Sequence, residues 1–552
     1  MIEENLANPT DEKIKKHIDF YYNALKPQVE LKLSSLTETY KEIKPLLHKD
    51  LSSPFLDTSA LNYALSRLPP SIFFAKKILI LQDTDQLKIA GTIAKSWKKE
   101  TALSRRRSTF YNFFTQTLAF LISSDSDIDD LINLLIAYFL EMDKIRQLKE
   151  KQFNKLIKNE DYSQLGIDDK KWQKLKKIIT PDWQKKFSSI LNQNNLIIKL
   201  HSRQEEKYHQ TAKNWWLTST SGLPILDISS SSVYLVSSNL HSLSNIVGTF
   251  VYTKQNEIFN YMAQNFPNLY KKWQRIKSTG DELRVNDFLY YISSKYFQNN
   301  PEILKEKESF ELGIGIKTIK LGDKLPCDMQ SIPISAITKA ITVDPYLNIS
   351  NKEKLSQSQA CIININYPLG HSAYYILSEI LKRLDKIKGI YVIGKAAILS
   401  GSIGDIQIPK LVFDERTGNN FLIKNVFNQE SQFTVTKSRI LKNQKAVTVY
   451  GTFLESQKQL EAYMKDDFNI IEMESGPCLN AISEFLSKEK HTNETIKIDQ
   501  GSIDLGIINY ASDNPLSKTL GEGPLAIKGA EPTYLSALTV MQRIVDLELQ
   551  TS

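Results

Sequence analysis

The chain has 552 residues, enough for several folding units rather than one small module. Hydrophobic residues make up 41% and charged residues 24% of it, which excludes collagen-like and broadly disordered chains. The net charge of +8 is small for this length and does not by itself indicate nucleic-acid binding. Three scattered cysteines exclude a disulfide framework and favour a reducing compartment.

Residues 1–190 show mainly the three-to-four-residue apolar spacing of helices, and we predict an α-helical domain there. The acidic start, MIEENLANPTDEK, lacks the features of a signal peptide. The longest apolar stretch, residues 131–140, is about half as long as a membrane-spanning helix. We therefore expect a cytoplasmic protein without a membrane segment. The basic run at 105–107 is interpreted as a solvated helix face, with nucleic-acid binding as the less favoured alternative.

Residues 191–312 are predicted to form a smaller mixed α/β segment. SSSVYLVSSN, residues 230–239, is typical of a strand, and an amphipathic helix is predicted over 241–252. The polar corner between them has two interpretations. It is either a ligand site at the end of a strand or the cap of the next helix, formed by Asn239 or Ser242.

Residues 313–552 alternate strands and helices, which predicts an α/β domain. CIININY, KGIYVIG, QKAVTVYGTF, FNIIEME and DLGIINYASD are apolar runs separated by amphipathic helical patterns. Such runs are typical of strands that are buried on both faces of a helix-flanked sheet. We therefore predict a parallel or mixed sheet in this part of the chain.

Ligands in open α/β sheets bind beyond the carboxyl ends of strands, so the residues just past each strand are the candidates. Glu472 and Glu474 point to one side of their strand and suit the vicinal hydroxyls of a ribose, or they cap the next helix. Asp513 follows an apolar strand, where burial raises a carboxyl pKa toward that of a general acid, although Ser-Asp-Asn-Pro is also an ordinary turn. Two further turns carry possible ligand-binding residues, which are Gly370, His371, Gly394 and Lys395.

The order of these motifs resembles the core of the nucleoside phosphorylase and nucleosidase superfamily, over about residues 361–549. The resemblance implies a phosphorylase-like mixed sheet flanked by helices. It also implies that Met473 and Glu474 hold the ribose and that Asp513 protonates or hydrogen bonds the purine. The implied base and substrate contacts are Phe453, Glu472, Ser512, Asn514, Gly370, His371, Gly394 and Lys395. No metal or organic cofactor is required, and a homo-oligomer is expected.

The sequence also departs from the family pattern. The first turn, residues 366–372, contains no arginine, and Val392 stands before the second glycine, so a phosphate nucleophile is poorly provided for. Water is therefore favoured over phosphate, and the motifs are somewhat similar to those of AMP nucleosidase, with Lys395 or His371 as the contact to a 5′-phosphate. Ala396 and Ala397 replace the usual glycines. We expect a hydrolytic purine nucleoside or nucleotide N-glycosidase. The alternatives are a phosphate-dependent phosphorylase and a catalytically inactive nucleoside-binding module.

Overall fold

The computed structural model describes residues 11–89, 96–221, 232–248, 250–322, 324–340, 343–428, 433, 438–498, 501, 503–516 and 530–550. Within these ranges the chain is a mixed α/β protein with two sheets.

The first sheet lies in the N-terminal part. Its strands are β1 (Glu30–Lys32), β2 (Lys77–Leu81), β3 (Trp97–Glu100), β4 (Thr109–Asn112), β5 (Thr117–Leu121) and β6 (Ile197–Leu200). They follow the order β1-β6-β2-β5-β4-β3, with β2 parallel to both of its neighbours. The prediction of an α-helical domain over residues 1–190 is therefore wrong, because β1 to β5 lie within it. The apolar runs KILIL of β2 and TLAFL of β5 are buried, and a short buried strand cannot be told from a buried helix by periodicity alone.

The second sheet has eleven strands and is the predicted mixed sheet. Its strands are β7 (Val233–Ser238), β8 (Lys317–Ile319), β9 (Met329–Pro333), β10 (Cys361–Asn366), β11 (Ile387–Ile398), β12 (Ile406–Asp414), β13 (Asn420–Leu422), β14 (Ile440–Thr448), β15 (Phe468–Glu472), β16 (Thr495–Lys497) and β17 (Asp504–Asp513). The order is β16-β13-β12-β14-β15-β11-β7-β10-β9-β8, and β17 pairs with β11 and β12. Because β7 lies between β10 and β11, this sheet crosses the predicted boundary between residues 312 and 313.

Helices cover both faces of the large sheet and pack around the small one. Those before β7 are α1 (Glu12–Ala24), α2 (Thr37–Ile43), α3 (Thr58–Arg67), α4 (Asp85–Ile89), α5 (Asp125–Arg146), α6 (Glu150–Asn159), α7 (Asp169–Ile179), α8 (Trp183–Ile190) and α9 (Glu205–Thr220). The helices from β7 to β10 are α10 (Leu240–Gly248), α11 (Phe250–Thr253), α12 (Gln255–Asn265), α13 (Pro267–Lys277), α14 (Glu282–Asn299), α15 (Pro301–Ile314), α16 (Ala336–Lys339) and α17 (Lys352–Ser356). The last four are α18 (Ser372–Leu381), α19 (Gln457–Lys465), α20 (Ser475–Ser487) and α21 (Ala530–Gln550). Every helix within the described ranges is too short or too polar to span a bilayer.

One hydrophobic core joins the two sheets, and a second core lies on the other face of the large sheet. Successive residues of β7 alternate between them, since Val233 and Leu235 belong to the shared core and Tyr234 and Val236 to the second. The shared core includes the N-terminal helices, whereas the second is formed with α10, α12, α14 and α21. The central strands are therefore covered on both faces, which explains their uninterrupted apolar sequences.

Candidate functional site

Two strands, β15 and β17, pair with β11 near its carboxyl end. Glu472 ends β15, with Glu474 just beyond it, and Asp513 ends β17. Ala397 of β11 is in register with Ile471 of β15 on one side and with Asp513 of β17 on the other. Since neighbouring strands lie about 4.8 Å apart, two such spacings place the backbones of β15 and β17 about 10 Å from each other here. The structure thus brings residues 472–474 and Asp513 to the same region of the sheet, on either side of residues 395–397.

Glu472 is occupied by hydrogen bonds within the protein. Its carboxylate accepts the Thr448 hydroxyl and, at Oε2, the amides of Glu474 (2.7 Å) and Ser475 (2.6 Å). Burial and the neighbouring charge of Glu474 raise the pKa of Glu472 to about 7. The interpretation of the pair as caps of α20 is therefore confirmed for Glu472 but not for Glu474, which makes no side-chain cap hydrogen bond, while the contact of Glu472 with a substrate stays a prediction.

Glu474 lies against the turn that follows β10. The amide of Gly370 donates to its Oε1 at 3.1 Å. Burial raises the pKa of Glu474, whereas the Gly370 amide and the charges of Arg105 and Lys395 lower it. Met473, beside it, is partly buried and packs against the shared core. Sequence reasoning missed Arg105 because it comes from the N-terminal part of the chain.

The turn after β10 packs tightly on the start of α5. Gly370 has a φ of +55°, and the His371 amide donates to Ser126 Oγ at 2.9 Å. The His371 ring stacks on Tyr374 with centroids 5.1 Å apart. Burial lowers the pKa of His371 to about 3, so the imidazole is neutral at pH 7 and provides no positive charge for a phosphate. His371 borders a cavity of about 350 Å³ together with Asp125, Arg203 and Tyr208.

Asp513 ends β17 and is partly buried. The Ser512 hydroxyl donates to the Asp513 carboxylate and lies 3.0 Å from the carbonyl oxygen of Ala396. The Asn514 side chain accepts the Leu516 amide at 2.9 Å, as expected of the turn.

Glu455 is a buried acid near Asp513 that sequence reasoning missed. It is 7% exposed. Burial and the charge of Asp513 raise the pKa of Glu455 well above its usual range.

Lys395 and Gly394 lie within β11 rather than in a loop after it. Lys395 is in register with Tyr510, and its side chain is exposed. Gly394 is paired with Asn509, and a Cβ at this glycine would lie 3.7 Å from the Asn509 amide nitrogen, an ordinary contact. The sequence pattern predicts a turn after KGIYVIG. The residues there instead continue β11, because β17 pairs with β11 as far as Ala397.

Phe453 is a core residue in this structure. It is 3% exposed, and its ring contacts those of Tyr63, Tyr40 and His48, with centroids 5.3, 6.4 and 6.4 Å away. These three partners belong to the N-terminal part of the chain, so that part packs directly on the strand-end region. A contact between Phe453 and a purine base stays a prediction.

The basic run at 105–107 is not helical, and two of its members are not solvated. Arg105 pairs with Asp130 at 2.8 Å, and Arg107 pairs with Asp127 at 2.8 Å and Asp130 at 2.9 Å. The prediction of a solvated helix face is therefore wrong. Because Arg105 and Arg107 are paired with carboxylates, they are not free to bind the phosphates of a nucleic acid, which was the alternative.

Two loop residues outside this run also have clear positions. Arg416, in the turn after β12, forms an ion pair with Asp129 and lies over the Tyr450 ring at 4.9 Å. Asn239 accepts the Ser242 amide at 2.8 Å, so the interpretation of the corner between β7 and α10 as a helix cap is confirmed.

Across the described ranges, no three His, Cys, Asp or Glu side chains cluster so as to hold a metal ion.

Several solved structures are similar to part of the chain. A methylthioadenosine nucleosidase assigned as putative, from Weissella paramesenteroides, is 12% identical, with 42% of this chain and 90% of that chain covered and a TM-score of 0.27. The 5′-methylthioadenosine nucleosidase of Arabidopsis thaliana is 12% identical, with coverage of 58% and 97% and a TM-score of 0.28. The 5′-methylthioadenosine/S-adenosylhomocysteine nucleosidase of S. pneumoniae is 11% identical, with coverage of 41% and 89% and a TM-score of 0.27.

None of the curated proteins matches the sequence. The model of a family of unknown function, DUF6909, matches residues 33–546, and the chain therefore belongs to this family.

Proposed function

We propose that the chain cleaves the N-glycosidic bond of a purine nucleoside or nucleotide, by hydrolysis, at the strand-end site around residues 395–397. The observation that carries the proposal is the register that sets Asp513 and residues 472–474 on opposite sides of Ala397. The backbones of β15 and β17 are about 10 Å apart at Ile471 and Asp513, and we infer that Glu474 and Asp513 reach opposite ends of one small molecule from these two strands.

The two acids have different tasks in this mechanism. Glu474, held by the Gly370 amide, accepts hydrogen bonds from the ribose hydroxyls, because an ionised carboxylate is an acceptor with two oxygens. Asp513 delivers a proton to the departing purine as the C1′–N bond breaks, while water adds to C1′ of the ribose and releases a proton that restores the Asp513 carboxyl through solvent. Cleavage builds positive charge on the ribose and negative charge on the base, so both groups act where charge develops in the transition state.

The test is release of free base from a panel of purine nucleosides and nucleotides, with and without phosphate, followed by chromatography. Glu474→Gln and Asp513→Asn should each lower base release by about 100-fold or more, the usual effect of removing a positioned acid or base. Glu489→Gln and Asp467→Asn are matched controls, since both acids are exposed, and should retain full activity.

Full activity in either site variant would refute the assignment of these residues. Binding of a purine nucleoside by calorimetry, without release of base under any condition, would instead support the alternative of an inactive nucleoside-binding module. Sugar phosphate as the product would identify a phosphorylase.

A further inference from the structure

A small basic cavity lies between the 105–107 segment and the turn after β10. Its volume is about 40 Å³, and its walls include Arg105, Arg106, Arg107, Lys324, Ser123 and Ser372. We infer that this arginine cavity binds the phosphate group of a reactant at the nucleoside site. The inference rests on the proposed function and deepens it, since it names a phosphorylated or phosphate-dependent substrate.

The first observation is an unsatisfied donor on Arg107. This residue is 7% exposed, and its Nη2 donates to Asp127 Oδ1 at 2.8 Å and to Asp130 Oδ2 at 2.9 Å. Its Nη1 is buried and has no hydrogen-bond partner among the described residues. A buried guanidinium donor without an acceptor costs free energy, and a phosphate oxygen in the cavity would satisfy it.

The second observation is the balance of charge around the cavity. Asp130 and Asp127 pair with Arg105 and Arg107, and Lys324 pairs with Asp83 at 2.8 Å. Arg106 instead donates to the carbonyl oxygen of Tyr367 at 2.7 Å, and it forms no ion pair within the described ranges. Of the four cations in the cavity wall, Arg106 is therefore the one without a carboxylate partner within the described ranges.

The Asp127 carboxylate also lines the cavity, but its oxygens are occupied. Oδ1 accepts from Arg107, and Oδ2 accepts the amide and hydroxyl of Ser123 at 2.8 and 2.7 Å. The Ser123 hydroxyl in turn lies 3.1 Å from that of Ser372, at the first residue of the ten-residue helix α18. The Ser123 hydroxyl donates to Asp127 and the Ser372 hydroxyl donates to the Leu369 carbonyl oxygen at 2.8 Å, so the cavity attracts a phosphate through its arginines and the positive end of α18.

Size and position fit a phosphate beside a ribose. A water molecule needs about 10–15 Å³ of cavity volume, so the cavity of about 40 Å³ has room for roughly three waters. A phosphate group occupies a space of similar size. Ser372 stands two residues after Gly370, whose amide holds Glu474. The N-terminal part of the chain thus supplies the arginines that the C-terminal motifs lack.

The test measures binding of inorganic phosphate by calorimetry in a buffer free of other oxyanions, together with base release from AMP and adenosine. Arg106→Gln and Lys324→Gln should each weaken phosphate binding about tenfold, as each removes one cation near the phosphate. Lys320→Gln is the matched control, because Lys320 is exposed, pairs with Glu308 and lies four residues before Lys324. Arg107 is buried in ion pairs, so it is not varied.

The two sources of phosphate give different results. Preferential cleavage of AMP over adenosine, lost in Arg106→Gln, indicates the 5′-phosphate of the substrate. Cleavage of adenosine only when phosphate is added indicates free phosphate as the co-substrate, which supports the cavity and overturns the hydrolytic part of the proposed function.

The inference and the proposed function fail separately. Equal cleavage of AMP and adenosine without phosphate, with no saturable phosphate binding, would overturn the inference and leave the proposed function intact. Phosphate binding that the two variants weaken, without base release from any substrate, would support the cavity and overturn the proposed function.

Discussion

Gly370 occupies a position where a side chain meets two separate obstacles. Its φ of +55° is a left-handed conformation, and a Cβ there would lie 2.5 Å from Ser126 Oγ. Ser126 cannot simply turn away, since its hydroxyl oxygen accepts the His371 amide at 2.9 Å. The turn that orients the Gly370 amide toward Glu474 therefore depends on the absence of a side chain.

We predict that Gly370→Ala lowers the free energy of unfolding by about 2–4 kcal/mol, the sum of backbone strain and the clash with Ser126. Denaturant unfolding of the purified variant measures this loss. Gly280→Ala is the control, because Gly280 has a φ of +70° but nothing within 4 Å of its Cβ position. It should lose only the backbone contribution, about 1 kcal/mol. Equal losses in the two variants would show that Ser126 offers no obstacle.

The residues of the candidate site differ in how far their sequence surroundings reveal them. Glu474 comes just after the apolar strand β15 and Asp513 ends the apolar strand β17, so each could be singled out from local sequence as a residue at a strand end. Their placement on either side of β11 could not, because β15 runs antiparallel to β11 and β17 runs parallel to it. Arg105 and Ser126 lie in the other half of the chain. Their contacts depend on how α5 packs on the turn after β10, which no local pattern encodes.

Helix α5 is the element that connects the two halves. Acids of its first two turns bind arginines from three separate segments, as Asp125 pairs with Arg203, Asp127 with Arg107 and Asp129 with Arg416. Acids at a helix start also interact favourably with the helix dipole. The Asp129 side chain is fully buried, so its pairing with Arg416 replaces the hydration that it loses.

We predict that Arg416→Ala lowers the free energy of unfolding by about 3–5 kcal/mol, because it leaves a buried carboxylate without its cation. The hydroxyls of Tyr21 and Tyr22 still donate to Asp129, so the double variant Arg416→Ala/Asp129→Asn should recover part of the loss. Arg383→Ala removes a more exposed pair with Glu379 and should cost less than about 1 kcal/mol. A double-mutant cycle by urea unfolding measures the coupling, and additive losses would contradict it.

The sequence predicts the strands of the large sheet better than those of the N-terminal sheet, because the two sets differ in length and in the distance to their partners. The long strands β10, β11 and β17 are buried on both faces and carry continuous apolar sequence. In the N-terminal sheet the strands have five residues or fewer, and β1 finds its partner in the distant β6. These short strands are stabilised by pairing with segments that are distant in sequence. The apolar pattern of each segment by itself cannot be told from that of a buried helix.

At the scale of the whole molecule, the two sheets share one core. Val233 and Leu235 of β7 pack in the same core as Leu131 and Leu134 of α5. The large sheet also depends on β7 for its continuity, because β7 is hydrogen bonded to β10 on one side and to β11 on the other. A division of the chain at residue 312 would separate this strand from both neighbours.

We therefore predict that a fragment of residues 313–552 does not fold by itself, even though it contains Glu474, Asp513 and the turn after β10. Without β7, the facing edges of β10 and β11 have unpaired amides and carbonyls, and the face toward α5 exposes a large apolar surface. Near-ultraviolet circular dichroism of the fragment should show no fixed tertiary packing, whereas the full chain should unfold in one cooperative transition. A soluble fragment with its own cooperative transition would show that the shared core and β7 are dispensable for the site.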